Sequence, residues 1–268
     1  MKSTRRQTVK IWKNIQLELY KLFKKKTTYL IFIPFLVPLI FGIGMYANVS
    51  FLVSDGATEF DVISENTISA MEFMNNMYLQ ANYITYLIVI IISSIMLSSE
   101  VENGQIRLLI TKIGKRRNII LSKYFAMLLF VSLFMLSFSL FSTIIYYLFT
   151  NNSSYGNGIL FSENWTVYGQ SFLYSYFGLL VIVALTFYLG MKLKTFMCFA
   201  SAYLIWFLTK YLEFFDNVQL LAPDNSAGFV LEHTLSLQKG IMLILVFSCY
   251  ILLLLWKSSR LITKRDFS

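Results

Sequence analysis

Twenty-one of the 23 Lys and Arg residues fall on one side of a ladder of six apolar stretches. The stretches are Tyr29–Ala47, Ala81–Ser99, Tyr124–Phe149, Ser171–Met191, Phe196–Leu212 and Gly240–Trp256. Each is nearly free of charge and close to the length that crosses a bilayer's hydrocarbon core. The segments between them alternate between basic and acidic. Lys and Arg are retained on the cytoplasmic side during insertion, so the basic set is expected in the cytosol together with both termini. Basic residues cluster at 2–26, 107–123, 192–194 and 257–265, leaving only Lys210 and Lys239 outside those groups. Ten acids, from Asp55 to Glu232, lie in the opposite set. The predicted fold is an all-α integral membrane protein of six transmembrane helices.

Composition excludes other classes. At 57% hydrophobic and 14% charged residues, 268 residues present more apolar surface than a soluble domain of that size can bury. The net charge of +9 sits beside the spans, where it suits anionic headgroups rather than nucleic acid. Cys198 and Cys249 both lie inside spans without a paired spacing, so neither a disulfide framework nor a metal site is expected. The first apolar run lacks a cleavage pattern and reads as a retained anchor. The chain is expected to be one transmembrane domain over 1–268, with a tail and interfacial helix at 1–28, a bundle at 29–256 and a tail at 257–268.

Residues 7–26 form no span. Ile11, Trp12, Ile15, Leu19, Leu22 and Phe23 recur at helical spacing among lysines, the pattern of a basic amphipathic helix lying in the interface. Pro34, Pro38, Gly42 and Gly44 predict a bent, closely packed first span. A surface helix is expected near Ile63–Tyr78, and the Asn-, Ser- and Gly-rich stretch 150–170 reads as flexible. Residues 213–238 are too apolar for a solvated loop and too interrupted for a span. They fit a re-entrant hairpin between the fifth and sixth helices.

The stretch Glu100–Lys123 is the most informative. Ile106, Leu109, Ile110 and Ile113 form a helical stripe, with Glu100 and Glu102 at its start, where carboxylates suit the helix dipole. Gly114 is placed to end that helix. A short striped helix flanked by charge suits docking into a partner's groove. It also suits a plain connector.

This stretch resembles the first cytoplasmic loop of ABC-2 type transporter permeases. Those carry E-x-E-x-G-T-x-R with a pair of leucines, then P-x-S-R, then a Lys opening the next span. Here Glu100, Glu102, Gly104, Arg107, Leu108 and Leu109 are followed by Arg117 and Lys123. Gln105 stands for the usual Thr, and Ile113–Arg116 replaces the Pro-x-Ser context. The segment around Trp12, Glu18 and Lys21 is similar to that family's interfacial helix, and Leu221-Ala222-Pro223 to its Leu-Ser-Pro.

The resemblance implies the permease subunit of an ATP-driven exporter in a bacterial cytoplasmic membrane. Two copies, or one copy and a relative, would pair with two ATP-binding subunits. ATP and Mg would be bound by those partners, and the 104–113 helix would engage them. The chain itself has no GxxxxGK[ST], the loop that cradles nucleotide phosphates, so it is not expected to be an enzyme or to hold a cofactor or metal. A hydrophobic or amphiphilic cargo, such as a bacteriocin-like peptide or a drug, fits the resemblance. Two alternatives stay open. A gradient-driven porter places ionisable groups within its spans, where this chain offers only Lys210, read as a local pair with Glu213. A membrane enzyme needs converging His, Asp, Glu or Cys, and the single histidine, His233, stands beside Glu232.

Overall fold

A computed structural model of the chain describes residues 2–47, 67–106, 116–215, 219–233 and 235–264. No β-strand occurs among them. Helix α1 spans Lys2–Lys24. A 3-10 helix, Lys26–Phe35, runs directly into α2, Leu36–Tyr46. Then follow α3 (Ala70–Glu102), α4 (Arg116–Leu148), α5 (Trp165–Gly190), α6 (Thr195–Lys210), α7 (Pro223–Glu232) and α8 (Leu237–Lys264). Five helical stretches are long and apolar enough to cross a membrane: 26–46, 70–102, 116–152, 165–190 and 238–263. The remaining expected span, the fifth, is α6, which has 16 residues.

The first span begins in an unexpected form. In a 3-10 helix, side chains at i and i+3 eclipse one another. Thr28, Ile31 and Pro34 therefore form one narrow buried seam, packed towards α3. Tyr29, Phe32 and Ile33 point outward. Pro34 lacks an N–H, and Pro38 falls in the first turn of α2, where the N–H has no intrahelical partner. The two prolines thus accompany a change of helix type rather than a bend within one α-helix. Gly42 and Gly44 are both buried. A Cβ at Gly42 would lie 2.5 Å from Ile145 Cγ2, so glycine lets α2 approach α4.

Helix α3 is the axis of the bundle. Its apolar window is 72% buried, against 22% for α8 on the outside. It packs against α2, α4, α5 and α6. The surface helix expected near 63–78 is corrected here: 63–66 lie outside the described residues, and 70–78 are the first turns of α3. Phe73, Met74, Met77 and Tyr78 are buried in the core. The start of α3 is fully capped. Ser69 Oγ accepts from the N–H of Glu72 at 3.3 Å. Ala70 and Met71 donate to the carbonyls of Ile159 and Leu160.

The stretch expected to be flexible is a tied cap. Ile68 pairs with the backbone of Tyr155 and Asn157. Tyr146 Oη donates to the Ile68 carbonyl at 2.8 Å and accepts from Gly158 N–H at 3.1 Å. Gly158 takes φ +73°, and a Cβ at Gly156 would collide with Asn151 backbone. Two glycines therefore make the turn possible. Outward faces of α4 and α8 carry Leu133, Leu136, Leu140, Leu245, Leu252 and Leu253 exposed, as a lipid solvent permits.

Candidate functional site

The basic ends of the helices converge on one buried ionic cluster. Helix α1 buries Ile15, Glu18 and Leu22, one face at helical spacing, against α4. Glu18 sits in the middle of that apolar stripe, so its carboxylate must find a cation on the facing helix. That cation is Lys123, whose side chain has 0% exposure. Its Nζ lies 2.7 Å from Glu18 Oε2 and 2.7 Å from Glu100 Oε2, and donates to the Met96 carbonyl at 3.2 Å. Two protons of the ammonium are used in hydrogen bonds, to Glu18 and Met96, and Glu100 Oε2 is held as an ion pair. Lys21 closes the cluster, 2.8 Å from Glu18 Oε1 and 3.8 Å from Glu100 Oε1. Two acids and two lysines make a neutral clasp joining α1, α3 and α4.

Neighbouring contacts extend the clasp. Glu102 Oε2 accepts from the N–H and Oγ1 of Thr195, at 3.1 and 2.7 Å, at the positive end of the α6 dipole. Arg116 donates to the carbonyls of Ile262 and Thr263 in the last turn of α8. Gly104 has φ +69° just past the end of α3, and its N–H bonds the Val101 carbonyl at 3.3 Å, the arrangement of a left-handed helix stop. Gly114, expected to end the helix that carries the stripe, lies outside the described residues. Both ends of the 103–115 connection are therefore anchored in the bundle.

Of the residues singled out in the sequence, Glu100 and Lys123 meet Glu18 and Lys21 in the clasp, uniting two groups that were read separately. Glu102 reaches α6 instead. Arg117 is exposed, and Trp12 is 55% exposed on the outer face of α1. Arg107, Leu108 and Leu109, with most of the expected stripe, lie outside the described residues. Ile106 does not belong to an exposed stripe, because it is fully buried in the core. Lys123, read in the sequence as the lysine that opens the third apolar stretch, is fully buried. Its burial follows from two carboxylates delivered by α1 and α3.

The charges set the pH range of the clasp. Burial alone would raise the Glu18 carboxyl, but Lys123 and Lys21 outweigh it and hold the pKa below the ordinary value. Burial would likewise lower Lys21, but Glu18 and Glu100 outweigh it and raise that pKa. A depressed acid contributes stability above its unfolded pKa and loses it as pH falls through the folded one. A raised lysine contributes below its unfolded pKa and loses it as pH rises through the folded one. The clasp is thus at full strength between about pH 5 and pH 10, on unfolded values of about 4.3 and 10.4. Protection of the 15–24 backbone amides, the slowing of their exchange relative to an unstructured chain at the same pH, is expected to stay high across that window and to fall below about pH 4. Protection that is unchanged down to pH 3 contradicts the assignment.

A second polar cluster lies at the far end of α6. Lys210 Nζ pairs with Asp224 of α7, while the side chain of Glu213, the partner its sequence spacing offered, lies outside the described residues. Asn82 of α3 donates to the other oxygen of Asp224. Asn225 donates to the Thr209 carbonyl at 3.0 Å. His233 stacks on Phe229 with centroids 4.6 Å apart. Among the described residues, no three His, Cys, Asp or Glu side chains group as metal ligands.

Apolar helices around an ionic clasp, with lipid-facing leucines outside, define an all-α multi-pass membrane protein. A family model matches residues 31–268, and the chain belongs to that family, DUF2705, whose function is unknown. No curated protein matches the chain.

Proposed function

We propose that the chain is the membrane-spanning subunit of an ATP-driven exporter of the ABC-2 type, powered by separate ATP-binding subunits. It crosses the cytoplasmic membrane six times, with the clasp and both termini in the cytosol. Helix α6 and its 3-10 continuation, Tyr211–Phe214, together span about 32 Å, enough for the fifth crossing. Helix α7 then folds back on α5 as a re-entrant element. Two permease copies and two ATP-binding subunits complete the machine, and the cargo is a hydrophobic or amphiphilic peptide or drug.

The observation that carries this reading is the Glu18–Lys123–Glu100 clasp. It fastens α1, α3 and α4 around the connection whose sequence resembles a coupling loop, and Glu102 extends the fastening to α6. A push on residues 103–115 would then move these helices as one body. A surface loop without such anchors would yield locally instead. A second reading, a gradient-driven porter, is favoured by the buried Lys210–Asp224 pair, since ionisable groups within spans often relay ions.

Transport in sealed vesicles separates the two. With the ATP-binding partner present, cargo movement is expected to require hydrolysable ATP and to survive collapse of ion gradients by ionophores. The Glu100→Gln/Gly104→Val/Arg107→Gln variant is expected to lose most of it. Transport without ATP that stops with the ionophore supports the porter and removes the ATP-driven reading.

A further inference from the structure

Asp224 is a carboxylate with 3% side-chain exposure near the end of a membrane-crossing helix. Such groups are costly and persist where they serve a function. Its surroundings resemble a receptor for an organic cation. Asn82 holds one oxygen by a hydrogen bond from α3. The rings of Tyr83 and Trp206 flank the position occupied by Lys210 Nζ, with centroids 5.1 and 5.7 Å from it. Tyr83 stands edge-on to Trp206 at 5.6 Å, and Tyr86 stacks on it at 4.9 Å. Ring faces at such range attract ammonium groups.

The two members of the ion pair are held differently. Asp224 is fixed in the first turn of α7, behind Pro223, and is packed among helices. Lys210 enters from the last turn of α6 on a flexible stem, and its side chain keeps 21% exposure. Withdrawal of Lys210 would leave the carboxylate and both rings in place. The buried hydroxyl of Tyr86 has no hydrogen-bond partner among the described residues, so an acceptor oxygen remains for a bound ammonium group.

We propose that Asp224, Asn82, Tyr83 and Trp206 form a binding site for the ammonium group of a cationic amphiphile, and that Lys210 is a tethered occupant which the ligand displaces. The assignment deepens the export reading by naming its cargo class. It is tested by binding alone, so its failure leaves the ATP requirement untouched, and failure of the ATP requirement leaves the binding result standing.

Hexylammonium is titrated calorimetrically into the full chain in neutral phosphatidylcholine nanodiscs, with hexanol and empty nanodiscs as references. The wild type is expected to bind hexylammonium saturably and hexanol not at all. Lys210→Met is expected to bind it about tenfold more tightly, because the competing occupant is gone. Asp224→Asn is expected to lose saturable binding. Absence of wild-type binding, an unchanged affinity in Lys210→Met, or wild-type affinity in Asp224→Asn overturns the proposal. If either charge variant does not fold, Trp206→Leu decides: weakening of several-fold supports the site, and unchanged affinity overturns it.

Discussion

Lys123→Met is expected to be among the most destabilising single changes in the chain. It removes the fully buried cation that bridges Glu18 and Glu100, leaving two buried carboxylates facing each other with the half-exposed Lys21 at their edge. Breaking a buried pair by deleting one partner costs about 3–5 kcal/mol, a large share of the stability of most folded domains. The variant should accumulate poorly and melt well below the wild type in thermal unfolding followed by size-exclusion chromatography. The neutral combination Lys123→Met/Glu18→Gln/Glu100→Gln should recover most of that loss. Replacing a whole buried charge group with neutral residues of similar volume is often harmless. A Lys123→Met loss below about 1 kcal/mol, the size expected of an exposed pair, would show that the clasp is not buried in the membrane-embedded chain.

The second large effect is a collision. Gly178 of α5 faces Tyr86 of α3, and a Cβ added there would fall inside the Tyr86 hydroxyl oxygen's contact radius. The ring has little room to move, because it is buried and stacked on Trp206 with planes 17° apart. Gly178→Ala is therefore expected to cost about 1–3 kcal/mol by overpacking. The next nearest ring atom, Tyr86 Cζ, would stand at 3.4 Å, an ordinary contact. Tyr86→Phe should then rescue Gly178→Ala almost completely. Tyr86→Phe alone should be neutral, because the hydroxyl gives up no hydrogen bond. A double-mutant cycle by thermal unfolding reads the coupling directly. A double variant as unstable as Gly178→Ala contradicts the packing.

What was legible in the sequence was whatever depends on runs of residues. Apolar length located the five long spans, and charge alternation grouped the basic ends that the structure brings together at the clasp. The start of α3 was missed because Glu72, Asn75 and Asn76 made its first turns look like a solvated surface. The signal was nevertheless present: Ser69-x-x-Glu72 is a helix-start pattern, and Ser69 does cap Glu72. The 3-10 form of the first span left no trace in an apolar run of ordinary composition. Its seam of Thr28, Ile31 and Pro34 has meaning only once the helix type is known.

Pairings between distant segments were the hardest to read. Glu18 and Lys123 were both singled out, through resemblance to different parts of a permease, yet nothing local joins residues 105 positions apart. Lys210 offered Glu213 one helical turn on, and the spacing favoured that local pair. The structure also gives it a partner fourteen residues on, because α7 packs against α5 and brings Asp224 to the end of α6. A one-dimensional reading ranks near neighbours first, whereas a buried charge selects whichever opposite charge the packing delivers.

The central claim is that the connection between α3 and α4 grips an ATP-hydrolysing partner. A photo-activated crosslinker placed at Leu109, in cells where transport is intact, tests it most directly. The account predicts one dominant adduct, with a P-loop ATP-binding protein, whose yield changes when ATP hydrolysis is blocked. Adducts with lipid alone, from a variant that still transports, would contradict it.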